Sequence, residues 1–97
     1  MIRRKAGTMI YAIEFQPQHF KSEHLENLKF LPNLEQIQLS GTKVTDQDME
    51  LLVELPKLDA IELNQCNISD RGIEILSRSE SIRLIVVEGR EIYPQEK

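Results

Sequence analysis

The sequence predicts an α/β fold, a short solenoid with parallel strands stacked along one side and helices along the other. Three observations predict it. A 24-residue offset runs through the chain without a gap; each unit carries a two-residue and then a three-residue apolar spacing; and residues of the same type start and stop each element.

The offset is clearest in the middle of the chain. Pro32, Leu34, Ile37, Leu39, Thr42, Val44, Thr45 and Asp46 are followed, each 24 positions later, by Pro56, Leu58, Ile61, Leu63, Cys66, Ile68, Ser69 and Asp70. One step onward gives Ile82, Ile85, Val87 and Ile92; one step back gives Ile10, Ile13, Phe15 and Phe20. A second set of columns holds Leu25, Met49 and Ile73, then Leu28, Leu52 and Leu76, then Leu31 and Leu55, where Ser79 breaks the run.

Each element follows from these columns. Alternation at Ile37 and Leu39, and at Ile61 and Leu63, suits a strand with one buried face, so strands are expected near residues 10–15, 34–39, 58–63 and 82–87. Apolar residues three apart at Met49, Leu52 and Leu55 suit one face of a helix, and helices are expected near 23–30, 47–54 and 71–78. Thr45 with Asp46, and Ser69 with Asp70, supply oxygens for the free N–H groups of a helix start, and Ser22 occupies the equivalent place in the first unit. Pro32 and Pro56 end the helices and lead into the next strand. One such unit cannot bury its apolar side alone, but stacked copies can, with Leu39, Leu52, Ile61 and Leu63 in the core.

These residues carry a resemblance. Leu34, Ile37, Leu39, Thr42, Val44 and Asp46, and their counterparts Leu58, Ile61, Leu63, Cys66, Ile68 and Asp70, resemble leucine-rich repeats. Cys or Thr at the ninth position, followed by a phrase such as Ile68, Ser69, Asp70, Gly72, resembles the cysteine-containing subtype known from F-box substrate receptors. The resemblance implies a right-handed leucine-rich-repeat solenoid with its parallel sheet on the concave side and helices on the convex side. Residues 1–97 would form a single domain, with units near 10–33, 34–57, 58–81 and 82–92. Asp48 stands where the phrase has Gly, and Gln18 and Arg90 replace the ninth-position residue in the outer units, as terminal repeats commonly do.

Composition narrows the function. With 16 acidic and 12 basic residues the net charge is −4, opposite to the basic footprint of nucleic-acid binders, and Arg3, Arg4, Lys5 and Lys21 are too few to reverse it. No run of about 18 apolar residues exists. The basic start resembles the first region of a signal peptide, but Glu14 interrupts the apolar stretch behind it. A single cysteine excludes an internal disulfide and agrees with a cytoplasmic setting. Asn67 to Ser69 matches a glycosylation sequon and reads more simply as a turn followed by a helix cap.

Candidate chemistry is sparse. Cys66 has no His near it in sequence and is expected to turn inward and bond loop backbone, as Thr42 does one unit earlier. His19 and His24 match no zinc spacing, and no phosphate loop or nucleophile elbow occurs. No metal, cofactor or enzymatic activity is therefore expected.

A non-catalytic protein-interaction module is the expected function, with a structural or assembly subunit working through open solenoid ends as the alternative. The third and fifth positions of each unit point to solvent from the concave sheet: Ala12 and Glu14, Gln36 and Gln38, Ala60 and Glu62, Leu84 and Val86. The seventh position adds Gln16, Ser40, Asn64 and Glu88. Glu14, Gln36, Gln38, Glu62, Asn64, Leu84 and Val86 are the candidate protein-binding residues. Leu84 and Val86 are apolar where earlier units are mostly polar, so the C-terminal tail, a partner or a second copy is expected to cover them. With no fifth strand beside the fourth, a homodimer could form through that edge.

Overall fold

A computed structural model describes residues 2–4 and 10–95 of the protein. In chain order it contains β1 (Ile2–Arg4), β2 (Ile10–Glu14), a 3-10 turn (Pro17–His19), α1 (Glu23–Glu26) continued by a 3-10 turn (Asn27–Phe30), and β3 (Gln36–Gln38). There follow a 3-10 turn (Asp46–Asp48) running into α2 (Met49–Leu52), then β4 (Ala60–Glu62), α3 (Asp70–Leu76), β5 (Leu84–Val87) and β6 (Arg90–Ile92).

The strands form one sheet in sequence order, β1-β2-β3-β4-β5-β6. The four central strands are parallel, and the 24-residue offset is their register: Ala12, Gln36, Ala60 and Leu84 lie side by side, as do Ile13, Ile37, Ile61 and Ile85, and then Glu14, Gln38, Glu62 and Val86. Backbone bonds repeat with the same step on both sides of each strand. The N–H groups of Glu35, Asp59 and Arg83 donate to Tyr11, Glu35 and Asp59 carbonyls at 2.8 Å; those of Leu39 and Leu63 donate to Glu62 and Val86 carbonyls at 2.9 and 2.7 Å. Each unit thus satisfies its main-chain groups with the next unit.

Helices lie where apolar residues recur every third position, and their buried side chains meet those of the strands. The core is aliphatic: Leu34, Leu39, Val44, Met49, Leu52, Leu58, Ile61, Leu63, Leu76, Ile82 and Ile85 are fully buried, among them the four residues expected there. Phe15, Phe20 and His24 form an aromatic cluster at the first unit, with ring centroids 5.5 to 6.4 Å apart.

The helix starts correct the sequence reading in detail. Thr45 accepts from the Asp48 N–H while the Asp48 carboxylate accepts from the Thr45 N–H, a reciprocal capping box. Ser69 accepts from the Arg71 N–H. Ser22 makes no capping bond; its hydroxyl donates to Asp48 Oδ2 at 3.0 Å in the next unit. Asp46 likewise serves the following unit, accepting from the Ser69 N–H at 2.9 Å and the Ser69 hydroxyl at 2.5 Å.

The missing glycine at Asp48 follows from the same stacking. A Cβ on Gly72 would stand 2.5 Å from Asp46 Oδ1 and 2.7 Å from Ile68 Cγ2. Position 48 faces the shorter Ser22 instead and bonds it.

The turn after each central strand demands one backbone shape. Gly41, Gln65 and Gly89, 24 residues apart, all have positive φ, at 78°, 57° and 76°. Glycine adopts this without steric cost; Gln65 does not. Pro17 occupies the same column in the first unit, and its ring excludes positive φ. The first unit departs from the pattern there and begins a 3-10 turn instead.

Both ends of the parallel sheet differ from the sequence expectation. β1 adds an antiparallel strand to β2, and β6 adds one to β5. After Val87, the fourth unit reverses through Glu88 and Gly89, both at positive φ, as a two-residue hairpin of this hand requires. The fourth strand is therefore not an edge, and the bare backbone that suggested a dimer there is paired within the chain. Ser79, where the leucine column breaks, is buried and bonds locally: its hydroxyl oxygen accepts from the N–H groups of Ser81 and Ile82 at 3.1 and 3.2 Å. The Gln95 amide closes this end by donating to the carbonyls of Ser79 and Ile82 at 2.6 and 3.0 Å. No helix among the described residues is long and apolar enough to cross a membrane.

Candidate protein-binding surface

Strand alternation sends every second side chain away from the helices. Ile37, Ile61 and Ile85 are buried on the helix side, whereas Gln36 and Glu62 are exposed and Gln38, Ala60, Leu84 and Val86 half-buried on the other. Ala12, at 4% exposure, is the one candidate-row residue sealed from solvent. Between the rows lies a shallow depression of about 240 Å³, lined by Ala12, Glu14, Gln36, Gln38, Ala60, Glu62 and Leu84. The structure thus brings Glu14, Gln36, Gln38, Glu62, Leu84 and Val86 onto one continuous face.

Several of these side chains already hold one another. The Gln38 amide donates to the Glu62 carboxylate of the next unit, and its oxygen accepts from the Ser40 N–H at 2.9 Å. The Ser40 hydroxyl accepts from the Asn64 N–H at 3.1 Å, and Asn64 Oδ1 accepts from the Gly89 N–H at 2.8 Å. Glu88 accepts from the Gln65 N–H at 2.6 Å, supporting that residue in its positive-φ turn. Asn64 thus belongs to the turn ladder beside the face. Gln38 and Glu62 are fixed in orientation, which lowers the entropy lost when a partner meets them.

Leu84 and Val86 are covered in part, and the cover starts earlier than the sequence reading placed it. β6 pairs with β5, and the register sets Glu91 opposite Val86 on the same face. The Tyr93 hydroxyl donates to Glu91 at 2.7 Å. Both apolar side chains stay half-buried rather than sealed. Glu91 and Tyr93 therefore extend the face beyond the residues chosen from sequence; their signal was the alternation resuming after Gly89.

The ninth-position residues behave as their chemistry requires. Thr42 is 3% exposed and its hydroxyl donates to the Leu39 carbonyl at 2.7 Å. The Cys66 thiol reaches back one unit to the same carbonyl at 3.0 Å and lies 3.9 Å from the Thr42 hydroxyl. Cys66 is half-buried rather than fully inward. It covers Thr42, but the chain reverses after Val87, so no ninth-position side chain stacks on Cys66 in turn. His19 is exposed, and His24 Nδ1 accepts from the Lys21 N–H at 3.1 Å, a local turn contact.

The helix side carries a second depression, of about 470 Å³, between the first two helical segments. Leu25, Leu51 and Leu55 line it, with Glu26, Lys29 and Glu54 also at its walls. No family model, curated protein or solved structure matches the chain.

Proposed function

We propose that the chain is a short, right-handed leucine-rich-repeat solenoid that binds another protein, without catalysis, through the concave face of its sheet. One observation carries the proposal. The 24-residue register lays side chains from four successive units in two straight rows, Ala12 to Leu84 and Glu14 to Val86, on the side away from the helices. Strands spaced about 4.8 Å apart make such rows a rigid ruler for an extended or flat partner surface. Its polar end, with Gln36, Gln38 and Glu62, grades into an apolar end at Leu84, Val86 and Tyr93. Apolar and aromatic residues amid polar neighbours supply the usual anchors of a recognition surface.

The test couples capture to mapping. Proteins retained by the immobilised chain are identified by mass spectrometry, and amide hydrogen exchange of the purified complex locates the protected backbone. Protection over β3, β4 and β5 is expected, with Val86→Lys weakening binding at least about tenfold, the loss typical of an anchor residue. A retained protein whose protection lies wholly on the helical segments, and whose affinity Val86→Lys leaves unchanged, overturns the proposal.

A further inference from the structure

Strand register sets a carboxylate on either side of an apolar side chain at the β6 end of the sheet. Glu62 of β4 lies beside Val86 of β5, and Val86 lies opposite Glu91 of β6, so the three stand in one line across the strands. At a strand spacing of about 4.8 Å the two acidic positions are about 10 Å apart. Leu84, two residues before Val86, is half-buried on the same face, and Tyr93, bonded to Glu91, is 44% exposed. Uncharged donors orient the carboxylates without compensating their charge: the Gln38 amide for Glu62 and the Tyr93 hydroxyl for Glu91. Glu88 adds a third carboxylate just past β5, held by the Gln65 N–H. Among the described residues no cation shares this end. Arg83 turns to Asp59 at 3.9 Å, and Arg90, opposite the buried Val87, falls on the helix side by alternation. The register sets Arg3 opposite Ala12, three strands from Glu62. That is about 14 Å, beyond the Debye length of about 8 Å at physiological salt.

We propose, resting on the sheet-face function above, that this end receives an extended segment of another protein in which Lys or Arg flanks an apolar residue on both sides. The apolar side chain seats against Leu84, Val86 and Tyr93, and the flanking cations meet Glu62 and Glu91. Alternate side chains of an extended segment share one face, so cations two residues before and two after the apolar one stand about 13 Å apart, within side-chain reach of carboxylates about 10 Å apart. Charge complementarity selects this occupant. An acidic segment would add like charges to three carboxylates on one side. A purely apolar segment would strip water from them and supply no counter-charge. A cationic segment replaces that water with charge-assisted hydrogen bonds. The bonds from Gln38 and Tyr93 already hold the two carboxylates in place, which reduces the freedom lost on binding.

The full chain is used to select from a displayed library of short random peptides. Enriched peptides are then synthesised, titrated by fluorescence anisotropy and mapped by backbone amide chemical shifts. They should carry Lys or Arg on both sides of an apolar residue and shift the amides of β4, β5 and β6. Glu62→Gln and Glu91→Gln keep the size and the acceptor oxygen of each exposed side chain. Each should raise Kd about two- to fivefold, the worth of an exposed ion pair. Raising sodium chloride from about 0.05 to about 0.5 M should weaken binding and shrink that difference. Peptides that shift the same strands but lack the basic flanks, or that bind both variants as tightly as the parent, overturn the assignment and leave the sheet-face function standing. A selection that enriches nothing overturns the assignment as well. Enriched peptides that shift only amides of the helical segments overturn both.

Discussion

Gly72 and Asp48 occupy the same column, yet only one of them is glycine, and the difference comes from the preceding unit. Asp46 reaches up to bond Ser69 and fills the space a Cβ on Gly72 would need, whereas Ser22 is shorter and bonds Asp48 directly. Helix propensity alone favours Ala over Gly by roughly 1 kcal/mol. Overpacking against a side chain held by two hydrogen bonds works the other way. Gly72→Ala is therefore expected to lower unfolding free energy by about 1–3 kcal/mol in a urea titration; a midpoint raised above the parent's would mean that Asp46 does not stand there. The position of Gly72 in the phrase was legible in the sequence. Its cause was not, because it is a contact 26 residues away.

Stacked helix starts tie one element to the next through single carboxylates. Asp46 accepts the Ser69 hydroxyl and N–H, and these bonds, with the Arg71 guanidinium and the Gly72 N–H beside it, hold its carboxyl below the ordinary value of 3.8 against the opposing effect of desolvation. A carboxyl depressed in the folded state contributes stability that is present above its unfolded pKa and is lost as pH falls through the folded one. The parent should thus lose stability on acidification below about 4, and Asp46→Asn should flatten that limb. Denaturant midpoints measured across the acid range check this; identical acid limbs for parent and variant would remove Asp46 from the linkage. The caps at Thr45 and Ser69 were readable as local patterns. The service of Ser22 and Asp46 to the following unit was not, because side-chain reach between units depends on how the units stack.

Whole-molecule closure depends on the tail. β6 pairs the outer side of β5, Ile92 packs against the core, and Gln95 satisfies two carbonyls at the end of the stack. A chain ending at Gly89 should lose roughly 3 kcal/mol or more through the half-buried isoleucine and the lost bonds, and its bare strand should promote aggregation. Urea unfolding with light scattering measures both; an unchanged midpoint in a non-aggregating truncated chain would show that the hairpin does not seal the sheet. Periodicity alone determined the parallel register, the aliphatic core and the row of residues on the open face, since a gap-free 24-residue step permits one stacking that buries every apolar column. The ends lay beyond its reach. Ile92 fits the apolar column of Val44 and Ile68, so the sequence predicts a further parallel repeat there, and only the tertiary structure shows the antiparallel reversal. Among the described residues β6 satisfies the outer backbone of β5 by folding back on it, an antiparallel contact that the 24-residue pattern does not encode because it depends on tertiary packing and not on the repeat step.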